Sequence, residues 1–207
     1  MKDKKYMSSL VGDRIKMEIM IPEHLRYIKA WGVHEDILFT DYNISKMSYN
    51  NLKIWYSYRR PTRKTLYYSV FNEEDRMIGY IGIKDIRILR RTSYLGIAFD
   101  PNYIEMGYGS EALKLFLDYY FNSMDMKEIY LEVNAFNARA LNLYRSMGFV
   151  QEGEFLGEFE VSLEDMMDDD IIFEPEYFTI AKGKLYSRII RMRLNSFNDI
   201  KIPVRDI

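Results

Sequence analysis

Two glycines, Gly107 and Gly109, open an apolar helical pattern shortly after a β-rich run. With no Cβ in the way, the backbone N–H groups from Met106 through Tyr108 to Ser110 can face an anion at the positive end of a helix, and a pyrophosphate fits such a cradle. Two proton-transfer groups follow: Glu132 near the end of a strand pattern, and Tyr144 on a helix pattern that starts at Asn137. A carboxylate can take a proton from an ammonium group, and a phenol, protonated at neutral pH with a reference pKa of about 10, can give one to a leaving group. The glycines alone leave other readings open. The same letters fit a dinucleotide-binding GxGxxA, with Glu132 at the distance of a ribose contact, or a loop that holds no ligand. Glu132 also reads as a solvated strand carboxylate, Tyr144 as a core tyrosine and Asn137 as a helix cap.

Composition narrows the chemistry. The chain has no cysteine, which excludes disulfides, thiolate metal sites and an acyl-cysteine route. Its only histidines are His24 and His34, with no HExxH spacing, so no metal site is expected. GxSxG and GxxxxGK[ST] are absent. A net charge of −2 gives no electrostatic footprint for nucleic acid or an anionic membrane. No apolar run approaches the ~20 residues that span a bilayer, and a cytoplasmic protein is expected. At 207 residues the chain is long enough for one well-cored domain, expected to cover 1–207.

The elements that must position these residues follow from periodicity. Strands are expected over 14–20, 65–71, 77–88, 93–99, 128–133, 149–155 and 185–194, and helices over 23–31, 44–59, 110–121 and 137–147. Alternation puts Tyr130, Glu132 and Asn134 on one sheet face and Leu131 and Val133 on the other. The stretch 158–184, with Glu164, Asp165 and Asp168 to Asp170, is expected to be an acidic insertion between the last two strands. In a dinucleotide-binding fold the glycines follow the first strand at once. Here 100–106 intervene and several hairpin-like strands come first, which disfavours that reading.

Gly107-Tyr108-Gly109-Ser110-Glu111-Ala112-Leu113, followed by Asn137-Ala138-Arg139-Ala140-Leu141-Asn142-Leu143-Tyr144 and Gly148-Phe149, resembles the two core motifs of the GCN5-related N-acetyltransferase (GNAT) family. The resemblance covers about Tyr80 to Phe155. It implies an α/β fold with a mixed, mainly antiparallel sheet of about seven strands, splayed in the middle, with helices on both faces. It also implies acetyl-CoA as cosubstrate, its pyrophosphate on Met106 to Ser110 and its pantetheine arm along Ile97, Ala98, Phe99 and Asn137. The family loop reads [Q/R]-x-x-G-x-[G/A], and Ile104 stands where Gln or Arg is usual. Members that acetylate ribosomal-protein N-termini carry a glutamate twelve residues before a catalytic tyrosine, the spacing of Glu132 and Tyr144. The implied roles are base for Glu132 and acid for Tyr144.

The resulting expectation is direct acetyl transfer to a primary amine by a monomer or homodimer, with a non-catalytic coenzyme A-binding module as the alternative. A wall containing Trp31, His34, Glu35, Asp36, Trp55 and Tyr58, with the acidic 158–170 region, would suit a cationic amine; a protein N-terminus, a polyamine and an aminoglycoside all stay open.

Overall fold

The computed structural model describes residues 6–159 and 176–195. Its frame is a nine-stranded sheet: β1 (Ser9–Val11), β2 (Lys16–Ile19), β3 (Thr65–Phe71), β4 (Met77–Arg87), β5 (Thr92–Phe99), β6 (Glu128–Asn134), β7 (Val150–Glu158), β8 (Phe178–Ala181) and β9 (Lys184–Leu194). The lateral order is β1-β2-β3-β4-β5-β6-β9-β7, with β8 also on β9. All pairings are antiparallel except β5 with β6.

Alternation along the strands builds two cores. In β3, Leu66, Tyr68 and Val70 join the larger one, with Ile129, Leu131 and Val133 of β6. It is covered by α3 (Tyr108–Asp118) through Ala112, Leu113, Phe116 and Leu117, and by α4 (Ala138–Ser146) through Leu141 and Tyr144. Tyr67 and Phe71 face the opposite layer, where α1 (Leu25–Ile28) and α2 (Tyr49–Ser57) bring Leu25, Ile28 and Leu52. Helices thus cover both faces, and apolar burial at strand and helix periodicity is what holds them there.

The parallel pairing of β5 with β6 covers only Thr92 to Tyr94 against Glu128 to Tyr130, after which the strands part and the sheet opens. Its start is pinned from α3, whose end widens into a π-turn over Tyr119–Ser123. There the Tyr120 hydroxyl donates to Glu128 O at 2.6 Å and accepts from Ser93 Oγ at 2.9 Å.

Several boundaries differ from expectation. The 44–59 helix begins only at Tyr49, because Met47 is extended and the Ser48 side chain caps the new start by accepting from Asn51 N at 3.1 Å. The 23–31 helix is a 3₁₀ turn over Pro22–His24 followed by α1. The stretch 158–184 is not wholly a loop: β7 extends to Glu158, Phe159 is buried with Phe178 and Leu185, and β8 forms a hairpin with β9. Its acidic residues Glu164, Asp165 and Asp168 to Asp170 lie outside the described residues. Seven strands match those expected; β1 and β8 are additional and short. Among the described residues no helix is long and apolar enough to cross a membrane.

Candidate active site

The glycine loop is shaped by its backbone. After β5, Asp100 is buried and accepts from Gly32 N at 2.9 Å and Asn102 N at 3.0 Å, fixing the exit of the strand. Glu105 then adopts φ 63° and Gly107 φ 86°, and α3 starts at Tyr108. Arg14, from the turn between β1 and β2, clamps this loop. It donates to Met106 O at 3.2 Å, forms an ion pair with Glu111 at 3.1 Å and lies 4.6 Å from the centre of the Tyr108 ring. A Cβ on Gly107 would come within 3.0 Å of that guanidinium, on a backbone that already favours glycine. At Gly109 a Cβ would make only ordinary contact, 3.6 Å from Phe99 and 3.9 Å from Leu143. Internal packing therefore does not demand glycine at 109, whereas close approach of a ligand to the backbone would. The loop fits a pyrophosphate held by main-chain N–H groups and the helix end. It offers no cationic side chain of its own, since Ile104, Glu105 and Met106 are apolar or acidic.

Ile97, Ala98 and Phe99 lie on the part of β5 beyond its pairing with β6, all half-buried. Across the opening, Asn137 caps α4 by accepting from Ala140 N at 3.0 Å, and its side chain lies near enough to the Tyr42 phenol to oppose the upward push that burial gives it. Tyr144 lies on the same face of α4 and is buried. Burial pushes its phenol well above the ordinary range, and the neighbouring phenols of Tyr42 and Tyr80 push in the same direction. Three tyrosines and Asn137 thus converge. Tyr42 comes from a 3₁₀ segment, Ile37–Tyr42, and Tyr80 from the centre of β4. Neither carries a local sequence signal.

Glu132 is placed differently. It points away from Leu131 and Val133, towards the α1 and α2 side, and its Oε1 accepts from Arg191 at 2.9 and 3.2 Å in a half-exposed ion pair. The structure pairs Glu132 with Arg191, not with Tyr144.

On that same side the rings of Trp31, Trp55 and Tyr67 surround Tyr80, with centroids 6.3, 5.1 and 5.9 Å from it. Trp31 Nε1 donates to Met77 O at 2.8 Å, which fixes one wall. His34 packs against Phe39 and Tyr42, and burial, followed by Arg139, pulls its pKa down. Asp36 caps the 3₁₀ segment by accepting from Leu38 N at 2.9 Å, while Glu35 and Tyr58 are exposed. Of the six expected wall residues, Trp31, His34 and Trp55 pack beside the tyrosine cluster. Among the described residues no three His, Asp or Glu side chains converge as metal ligands.

Comparison with known proteins agrees with this geometry. A model of the acetyltransferase (GNAT) family matches residues 25–149. The spermidine N(1)-acetyltransferase of Escherichia coli strain K12 is 32% identical over 84 residues, 41% of this chain and 45% of that enzyme. The chain thus matches less than half the length of that relative. The spermidine N(1)-acetyltransferase of Vibrio cholerae is 25% identical over 138 residues, 67% of this chain and 80% of that enzyme. The fold is shared with the crystal structure of the Vibrio cholerae spermidine N-acetyltransferase in complex with CoA and spermine, at a TM-score of 0.63 and 21% identity over 88% of this chain and 96% of that one. A splayed sheet, a glycine-opened helix and a matching family model lead to one conclusion: the chain belongs to the GNAT acetyltransferase family.

Proposed function

We propose that this protein transfers an acetyl group from acetyl-CoA directly to a primary amine. The observation that carries the reading is Tyr144, a buried phenol grouped with Asn137, Tyr42 and Tyr80 beside the opening of the sheet. The coenzyme would supply a thioester: its C–S bond breaks as the C–N bond to the amine forms, and the amine proton ends on the released thiol. Met106 to Ser110 would hold the pyrophosphate, with Ile97, Ala98, Phe99 and Asn137 along the arm. Tyr144 donates its hydrogen to the departing sulfur. Because burial raises its pKa, the phenol is protonated throughout the neutral range, but full transfer to a thiolate whose reference pKa is about 8.5 runs uphill. Its contribution therefore belongs at the low end of general-acid effects. Glu132 is the proposed base on the acceptor side, where an incoming ammonium must share or displace Arg191. The related enzymes make spermidine the first acceptor to test, beside protein N-termini and aminoglycosides.

The test is thiol release from acetyl-CoA over a panel of amines. With no cysteine in the chain, every thiol that appears belongs to coenzyme A. Tyr144→Phe should keep acetyl-CoA affinity and lower kcat by about 10², the low end of general-acid effects. Wild-type turnover in that variant, with chemistry rate-limiting, would remove Tyr144 from the mechanism. Coenzyme binding without transfer to any amine would favour a non-catalytic coenzyme A-binding module instead.

A further inference from the structure

The acceptor side holds a positive charge that the reaction scheme does not use. Arg59 follows the C-terminal end of α2 and places its guanidinium 4.0 Å from the centre of the Trp55 ring, with Tyr67 and Tyr80 at 5.8 and 5.6 Å. One Nη donates to Trp55 O at 3.1 Å, and the guanidinium opposes the upward push that burial gives the Tyr80 phenol. Its Nε–H is buried and finds no acceptor. Among the described residues no carboxylate lies within ion-pair distance of Arg59, whereas Arg188, Arg191 and Arg193 on β9 each have a glutamate. A second guanidinium, Arg139 in the first turn of α4, lies 5.9 Å from the Phe39 ring centre and acts on Tyr42, where Asp41 also acts.

Aromatic faces stabilise a guanidinium but leave its in-plane N–H donors unmet, and a desolvated donor without a partner is costly. The partner that best matches the planar fork is a pair of carboxylate oxygens. Tyr80 links the charge to the reacting centre, its ring centre 5.6 Å from the Arg59 guanidinium and its phenol close enough to Tyr144 to act on it electrostatically. An acceptor reaching Tyr144 from this side therefore passes within one phenol of the guanidinium. A polycation there would meet like charge.

We propose that Arg59 receives an anionic group of the acceptor, so that the amine acetylated is one that also carries a carboxylate, not a polyamine. This rests on the transferase reading, and it departs from the spermidine named for the related enzymes.

Matched acceptors test it: β-alanine against 1,3-diaminopropane, and 6-aminohexanoate against 1,6-diaminohexane, with spermidine alongside. In the unmodified protein the amino acid should have the higher kcat/KM in at least one pair. Arg59→Gln should lower that preference at least about tenfold, through KM for the amino acid, as loss of a hydrogen-bonded charge implies. Arg59→Lys, which keeps the charge without the fork, should recover part of it. Preference for spermidine or the diamines in the unmodified protein overturns the inference, as does an unchanged ratio in a folded Arg59→Gln variant. If that variant does not fold, the unmodified protein decides. Hexanoate should compete with whichever amine is accepted while hexanol does not, and absence of such competition overturns the inference. Acetyl-CoA binding without transfer to any amine brings down the transferase reading itself, and the acceptor inference with it.

Discussion

Glu105 shows how single residues set the quality of the coenzyme loop. Its φ of 63° lies in the left-handed region, where a Cβ crowds the following carbonyl, and its carboxylate stands two residues before Gly107 in a loop proposed to hold an anion. Glu105→Gly should relieve the strain and remove the negative charge together. We expect a stability gain of up to about 1 kcal/mol in urea unfolding, limited by the extra freedom glycine has in the unfolded chain, and tighter acetyl-CoA binding by calorimetry. Weaker binding would show that this side chain contributes to the site. At this scale the sequence was only partly readable. The place of Tyr144 beside Asn137 follows from a spacing of seven on one helix face, and the glycines announce themselves. Tyr42, Tyr80, Arg14 and Arg59 come from four other elements, and only long-range packing brings them in. The ion pair of Glu132 with Arg191 was equally hidden, because it needs the register of β6 on β9.

At the scale of elements, strands with clear alternation were legible, and the order of strands and helices followed. What was missed depends on local hydrogen bonds: the Ser48 cap that divides 44–59, the short β8, and the π-turn at the end of α3. That turn matters because it carries Tyr120 to the point where β5 meets β6. Tyr120→Phe would leave the buried Ser93 hydroxyl without its acceptor and Glu128 O without its donor. A destabilisation of about 1–3 kcal/mol is expected in chemical unfolding, the cost of stranding buried polar groups. A midpoint like that of the unmodified protein would show that water replaces both bonds. Arg14 acts at this scale too, tying the turn between β1 and β2 to the first turn of α3 through Glu111.

For the molecule as a whole, the many tyrosines set an alkaline limit. Burial holds the Tyr67 phenol up to about 12 and raises those of Tyr68, Tyr120 and Tyr144 as well. In the unfolded chain a phenol titrates near 10, so above that pH the folded state binds more protons than the unfolded one and stability falls as pH rises. The stabilisation is complete below pH 10 and is lost as pH climbs through the folded value. For Tyr67 alone the loss is about 2 kcal/mol by pH 12. Absorbance at the tyrosinate band should therefore rise in two stages, exposed phenols first and the buried ones together with unfolding. A single smooth titration centred near pH 10 would show that these phenols are not held neutral by the fold.

The brief meeting of β5 and β6 gives the sheet an uneven clock. Beyond Tyr94, β5 keeps its ladder to β4 while its other edge faces the opening. Alternate amides of Leu95 to Phe99 should then trade hydrogen for deuterium at the pace of a loop, although they sit mid-sheet. Their neighbours bonded to β4 should stay protected for far longer. Acetyl-CoA should slow only the fast set, together with the amides of Met106 to Ser110, and uniform protection of 95–99 before any ligand is added would mean that the opening is closed in solution.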